Sequence, residues 1–277
     1  MVRGLLAAVM VGTVCGVLGT YVVLRGMAFF GDALAHAILP GIAIAYLLGG
    51  QEQGPLFWGG LVTGIGTALG IGTLSKRGQI REDTAIGVIF AGMFALGVAL
   101  ISTARNFSVD LAHFLFGNVL GVSQGDLVLT ASFGGLVLLL VLAFYKEFLV
   151  ISFDPVLAAI LRLPAEPLRY LLLVMLAITV VTALQTVGVA LMVAMLVTPA
   201  ATASLLARRL PTMMLLSAGC GAFSGIAGLY LSYYVNVASG PAIVLVCTAL
   251  FILAYLFAPQ RGIVRIWPSS SNHPKTR

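Results

Sequence analysis

A chain of 277 residues that is 60% hydrophobic and 9% charged, with mean hydropathy +1.10, has too little polar surface to be solvated as a water-soluble domain. Its apolar runs are about twenty residues long and rich in Leu, Ala, Val and Gly, which excludes a transmembrane β-barrel and leaves an all-α, polytopic membrane bundle of about eight or nine spans. The net charge of +6 follows from membrane orientation and requires no nucleic-acid partner.

The first span is expected at 4–23. Arg3 precedes LLAAVMVGTVCGVLGTYVVL, a run too long for a signal-peptide core and lacking a small-residue cleavage box, so it reads as retained. The second span, 28–49, contains GDALAHAILPG at residues 31–41. Asp32 and His36 stand one helical turn apart, on one face, with Cβ atoms about 5–6 Å from each other. Both are expected near the middle of this run, where an unpaired carboxylate costs about 2.5–3.5 kcal/mol. Pro40 lacks an amide hydrogen, so the His36 carbonyl loses its helical donor and the helix should kink beside the pair. A carboxylate oxygen and an imidazole nitrogen suit a divalent first-row metal. The residues alone leave three readings open: a metal site on a permeation path, a structural pair with Asp32 satisfied by Arg25 or another helix, and a proton relay.

A third span at 55–74 is followed by the cytoplasmic loop SKRGQIRED, 75–83. Glu82 and Asp83 open the fourth span, 84–104, where acidic residues suit the helix dipole and serve as caps. After Arg105 the apolar core of NFSVDLAHFLFGNVLGVSQGD is too short to cross, so 107–125 is expected to be a re-entrant or interfacial helix. His113, within it, reads as an interface residue. A fifth span follows at 127–146. Leu168 to Leu206 is long enough for two more, 168–187 and 188–206, divided by a tight turn near Thr186-Val187-Gly188. The last two are placed at 212–234 and 241–258, with a polar cytoplasmic tail at 259–277. The whole of 1–277 thus forms a single transmembrane domain.

With nine crossings and a cytoplasmic C-terminus, every Lys and Arg falls inside except Arg3 and Arg105, as the positive-inside rule demands. Glycines recur at four-residue spacing: Gly12/Gly16, Gly60/Gly64, Gly66/Gly70, Gly117/Gly121 and Gly221/Gly225. They imply close helix packing, because lipid provides no hydrophobic reason for helices to associate. Cys15, Cys220 and Cys247 are scattered singly and form neither a ligand set nor a disulfide framework.

Four segments in order carry a resemblance: LRGMAFFGDALAHAILPGIAIAYLLG (24–49), REDTAIGVIFAGMFALGVALIS (81–102), DLAHFLFGNVLGVSQGDL (110–127) and VGVALMVAMLVTPAATASLLARRL (187–210). They are similar to the ABC-3 family, the permease subunits of bacterial manganese, zinc and iron importers. The resemblance implies a type II-like ABC importer permease, multi-pass in the bacterial cytoplasmic (inner) membrane. Its implied partners are cytoplasmic ABC ATPases, an extracytoplasmic metal-binding solute-binding protein and a second permease subunit, with a homodimer favoured. It implies no permanently bound cofactor; the divalent metal is cargo, and ATP is used by the partner subunit. By the same resemblance, Asp32 and His36 coordinate the metal in transit.

The chain contains no G-x-x-x-x-G-K-[ST] loop and no hydrophilic nucleotide domain, so it is not itself an enzyme and its driving energy must come from outside. Coupling to an ATPase requires a rigid cytoplasmic helix, and TPAATASLLARRLP, 198–211, is the candidate. Thr198 is expected to cap it, Pro199 to occupy its first position, and Ala200, Ala201 and Leu205 to extend it to Arg208 and Arg209. Family similarity assigns this region to the ATPase contact. The favoured function is therefore ATP-driven import of manganese, with zinc or iron as other cargoes. The alternative is a proton-coupled secondary metal carrier in which Asp32 titrates.

Overall fold

The computed structural model describes residues 1–49, 53–76, 80–103, 119–153, 158 and 160–258. Eleven α-helices run through these residues in chain order. They are α1 (Val2–Leu24), α2 (Phe30–Ala37), α3 (Leu39–Gly49), α4 (Gln53–Leu74), α5 (Glu82–Ser102), α6 (Gln124–Ala143), α7 (Tyr145–Phe153), α8 (Ala165–Val187), α9 (Val189–Leu206), α10 (Leu210–Val235) and α11 (Ser239–Phe257). Among the described residues there is no strand, and nine helical segments are long and apolar enough to cross a membrane, counting α2 and α3 together. They coincide with the nine spans expected from hydropathy.

Two boundaries differ from expectation in instructive ways. The fifth span begins at Gln124 rather than 127, because Ser123 and Asp126 form a capping box in which each satisfies a free amide of the other's turn. It ends at Ala143, so Lys146 belongs to the short helix α7. The second span is two helices, interrupted at Ile38 two residues before Pro40. The turn that divides α8 from α9 falls at Gly188, whose φ of +82° and ψ of 168° only glycine adopts without strain. Its amide closes α8 on Leu184 O at 2.9 Å, and its carbonyl opens α9 by accepting from the Met192 amide at 3.0 Å.

α1 and α8 form the centre of the bundle, 67% and 72% buried, whereas α5 and α11 are only 17% buried and face outward. α1 lies against α10 through Gly12, Gly16, Gly221 and Gly225. A Cβ on Gly12 would stand 2.7 Å from the Gly221 carbonyl carbon, and one on Gly16 would stand 2.8 Å from Ser217 O. Backbones this close admit a direct hydrogen bond, which Ser217 Oγ donates to Gly16 O at 2.7 Å. α1 meets α9 still more tightly, for a Cβ on Gly19 would sit 1.9 Å from Leu196 O. Gly60 and Gly64 likewise face Ile42, Ile38 and Val181. Gly66 faces nothing within 4 Å, so the Gly66/Gly70 pair is not a tight seam. Gly117, His113, most of 107–125 and the tail 259–277 lie outside the described residues; Val119–Gly121 forms a single 3-10 turn.

Candidate metal site

The site is built on the broken second span. Pro40 has no N–H, so the His36 carbonyl finds no donor four residues on. α2 closes instead with the Ile38 amide on Leu34 O at 3.2 Å, and α3 restarts with the Ile42 amide on Ile38 O at 3.2 Å. The expected kink is therefore a one-residue break at Ile38, which itself keeps right-handed helical dihedrals.

Asp32 stands in the first turn of α2, not midway along the run. In the short connection from α1, Met27 is buried while Gly26, Ala28 and Phe29 are exposed, so α2 begins at the surface of this chain with Asp32 partly open. Asp32 shares an open-sided pocket of about 500 Å³ with Ala28, Phe29, Val193, Ala194, Val197 and Thr198. Val197 and Thr198 lie halfway along α9. The His36 ring meets Phe90 and Phe94 edge-on, with centroids 6.1 and 5.8 Å away, in the middle of α5.

The imidazole has a defined tautomer. Nδ1 lies 2.9 Å from the Asp32 main-chain carbonyl. A carbonyl oxygen only accepts, so Nδ1 donates its proton there, and in the neutral ring the lone pair is on Nε2. The Asp32 carboxylate, 3.8 Å from Nδ1, is beyond hydrogen-bond reach of the ring and remains available. Both side chains are partly open, 36% for Asp32 and 26% for His36. Two adjacent residues thus present a hard anionic oxygen and a neutral nitrogen donor, and the ring that carries the nitrogen is oriented by backbone and flanked by aromatics. Among the described residues no group of three or more His, Cys, Asp or Glu is placed to hold a metal. The pair therefore fills only part of a coordination shell.

Arg25 is not the counter-ion of Asp32. Its Nη2 lies 3.0 Å from Glu82 Oε1, and Arg169 Nη2 lies 2.8 Å from the same oxygen. Arg169 also donates to Ser75 Oγ. This cluster ties the end of α1 to α4, α5 and α8. Glu82, expected only to cap α5, is its hub. Burial lowers the Arg25 guanidinium from its ordinary value, and the Glu82 carboxylate opposes that shift. Charge patterning had placed these residues on one side of the membrane but could not pair them, because their partners lie on different spans.

The 198–211 region also departs from expectation. Thr198 does not cap a separate helix, and Pro199 lies inside α9, which continues to Leu206. One missing amide breaks a single hydrogen bond, that to Met195 O, and neighbouring helices hold the turn in place. Pro199 and Ala200 are buried, Ala201 and Leu205 half-buried, and Arg208 and Arg209 exposed in the bend before α10. Sequence reasoning missed that Thr198 faces the Asp32 pocket.

Comparison with known proteins places this architecture among transporters. The model of the ABC 3 transport family matches residues 1–258. The manganese transport system membrane protein MntC of Halalkalibacterium halodurans is 49% identical, over 96% of this chain and 90% of the relative. The chelated iron transport system membrane protein YfeD of Yersinia pestis is 38% identical, over 93% of this chain and 85% of the relative. Among solved structures, PsaBC from Streptococcus pneumoniae in complex with Fab superposes with a TM-score of 0.80 at 42% identity, covering 94% of this chain and 92% of the other.

Proposed function

The chain belongs to the ABC 3 transport family, and from that membership and the Asp32–His36 geometry we propose that it is the membrane permease of an ATP-driven importer that carries divalent manganese into the cell. The observation that carries the site is the Asp32 carboxylate opening into the pocket, with the His36 ring one helical turn on and fixed by its Nδ1 against the Asp32 main-chain carbonyl. Asp32 supplies charge and hard oxygen, and His36 supplies nitrogen one helical turn away. A shell filled partly by water binds modestly, which suits an ion that has to leave. Manganese is favoured over zinc and iron because the donors are oxygen-rich and no thiolate joins them. The manganese systems named among the relatives, at higher identity than the iron system, support that choice.

The remaining assignments follow from this reading. Cytoplasmic ATPases dock on the bend after α9, with Leu205, Arg208 and Arg209 as the contact and the buried Pro199, Ala200 and half-buried Ala201 as its support. A solute-binding protein delivers the ion at the outer face. A second copy of the chain closes the open side of the Asp32 pocket and contributes its own pair. The complex sits in the bacterial cytoplasmic membrane. The proton-coupled carrier needs no ATPase, so co-purification of an ATPase partner in detergent decides against it.

The test is Mn²⁺ uptake by the complete importer bearing Asp32→Ala. Uptake is expected to be abolished while the variant still assembles with its ATPase. Uptake at the wild-type rate would remove Asp32 from the path.

A further inference from the structure

Two polar side chains line the pocket at Asp32: Asp32 itself and Thr198, on the facing helix. Several threonine hydroxyls in the bundle are absorbed by their own helices, although those of Thr67 and Thr179 are buried without a partner and line no pocket with a carboxylate. Thr13 donates to Val9 O and Thr20 to Val17 O, each at 2.7 Å; Thr202, one turn beyond Thr198, donates to Thr198 O at 2.8 Å. Among the described residues the Thr198 hydroxyl makes no such bond. A hydroxyl left free at mid-span is unfavourable unless water or a ligand satisfies it. Pro199, immediately after it, deprives Met195 O of its donor although α9 continues through it. Two proline-containing helical segments thus line the pocket, one presenting Asp32 and the other Thr198.

We propose that the Thr198 hydroxyl is a neutral oxygen ligand for the divalent cation held by Asp32, and that it tunes the site towards manganese and away from zinc. The inference rests on the reading of Asp32 and His36 as the transport site. Its chemistry is that of coordination number. Zinc is satisfied by four donors and favours nitrogen and sulfur, whereas manganese takes larger, oxygen-rich shells. An added hydroxyl oxygen therefore benefits manganese more, and its removal should weaken manganese selectively.

The purified permease–ATPase complex, without its solute-binding protein, is titrated with Mn²⁺. Bound metal is read from loss of the free Mn²⁺ resonance signal, and Zn²⁺ serves as competitor. Thr198→Val keeps the shape and deletes the hydroxyl; Thr198→Ser restores it. The valine variant should bind Mn²⁺ about tenfold more weakly, the scale expected for losing one polar contact to a charged group, with a smaller change for Zn²⁺. The serine variant should return towards the wild-type Mn²⁺/Zn²⁺ ratio. An unchanged ratio in the valine variant overturns the inference. So does equal weakening of both metals in the valine and serine variants with the complex intact, because that marks a packing role. Asp32→Ala is run alongside. Retained Mn²⁺ binding there means that the transport-site reading itself has failed, whereas loss there with an unchanged valine variant removes Thr198 alone.

Discussion

Replacing Glu82 by alanine tests the structural logic of the cluster that ties α1, α4, α5 and α8 together. One carboxylate oxygen holds both Arg25 and Arg169, at 3.0 and 2.8 Å, with side-chain exposures of 24% for Glu82, 13% for Arg25 and 17% for Arg169. Deleting it leaves two like charges facing each other with little water. Breaking a fully buried pair costs about 3–5 kcal/mol. Because Glu82 retains some solvent, we expect about 2–4 kcal/mol here, which for a chain of this size is a fall in melting temperature of roughly 5–15 °C. Glu82→Gln should lose most of the same amount, since it keeps the shape but not the charge. Arg169→Ala leaves the Arg25–Glu82 pair intact and should cost only about 1 kcal/mol. Thermal unfolding of the detergent-solubilised complex, followed by size-exclusion of the surviving species, provides the ranking. If Glu82→Ala melts within about 2 °C of the wild type, the cluster contributes nothing and the reasoning fails.

Other predictions follow from particular contacts. Gly19→Ala should be destabilising by more than about 1–3 kcal/mol, because its Cβ would meet a main-chain oxygen that cannot move aside; Gly66→Ala, which meets nothing within 4 Å, should be neutral. Membrane-inserted yield of the two variants separates them. If His36 Nε2 is the donor, His36→Gln, whose amide reaches towards that position, should retain more Mn²⁺ uptake than His36→Asn, and the reverse order would point to Nδ1. Arg208→Glu with Arg209→Glu should leave the permease folded but reduce ATPase co-purification at least about tenfold, as expected from charge reversal across an interface.

The spans were legible because burying a peptide group in lipid is so unfavourable that about twenty apolar residues and a helix go together. The Asp32–His36 pair was legible too, since a four-residue spacing settles which face two side chains share before any tertiary contact forms. Pro40 announced a break, although only the structure showed that it divides the span into α2 and α3. Pro199 carried a similar signal with the opposite outcome. There the helix continues, held by neighbours that no local pattern describes.

What the amino-acid order determined by itself is therefore what is governed by period and by solvent: the nine membrane-length helical segments among the described residues, the turn at Gly188 and the shared face of two polar side chains. Tertiary structure alone decided which distant groups meet. It assigned Arg25 and Arg169 to Glu82, and it brought Thr198 into the pocket that Asp32 lines. It also chose which glycine pairs close a seam. Those outcomes depend on how helices rotate and slide against one another. That choice is made by packing summed over the whole bundle, and no single segment of the chain contains it.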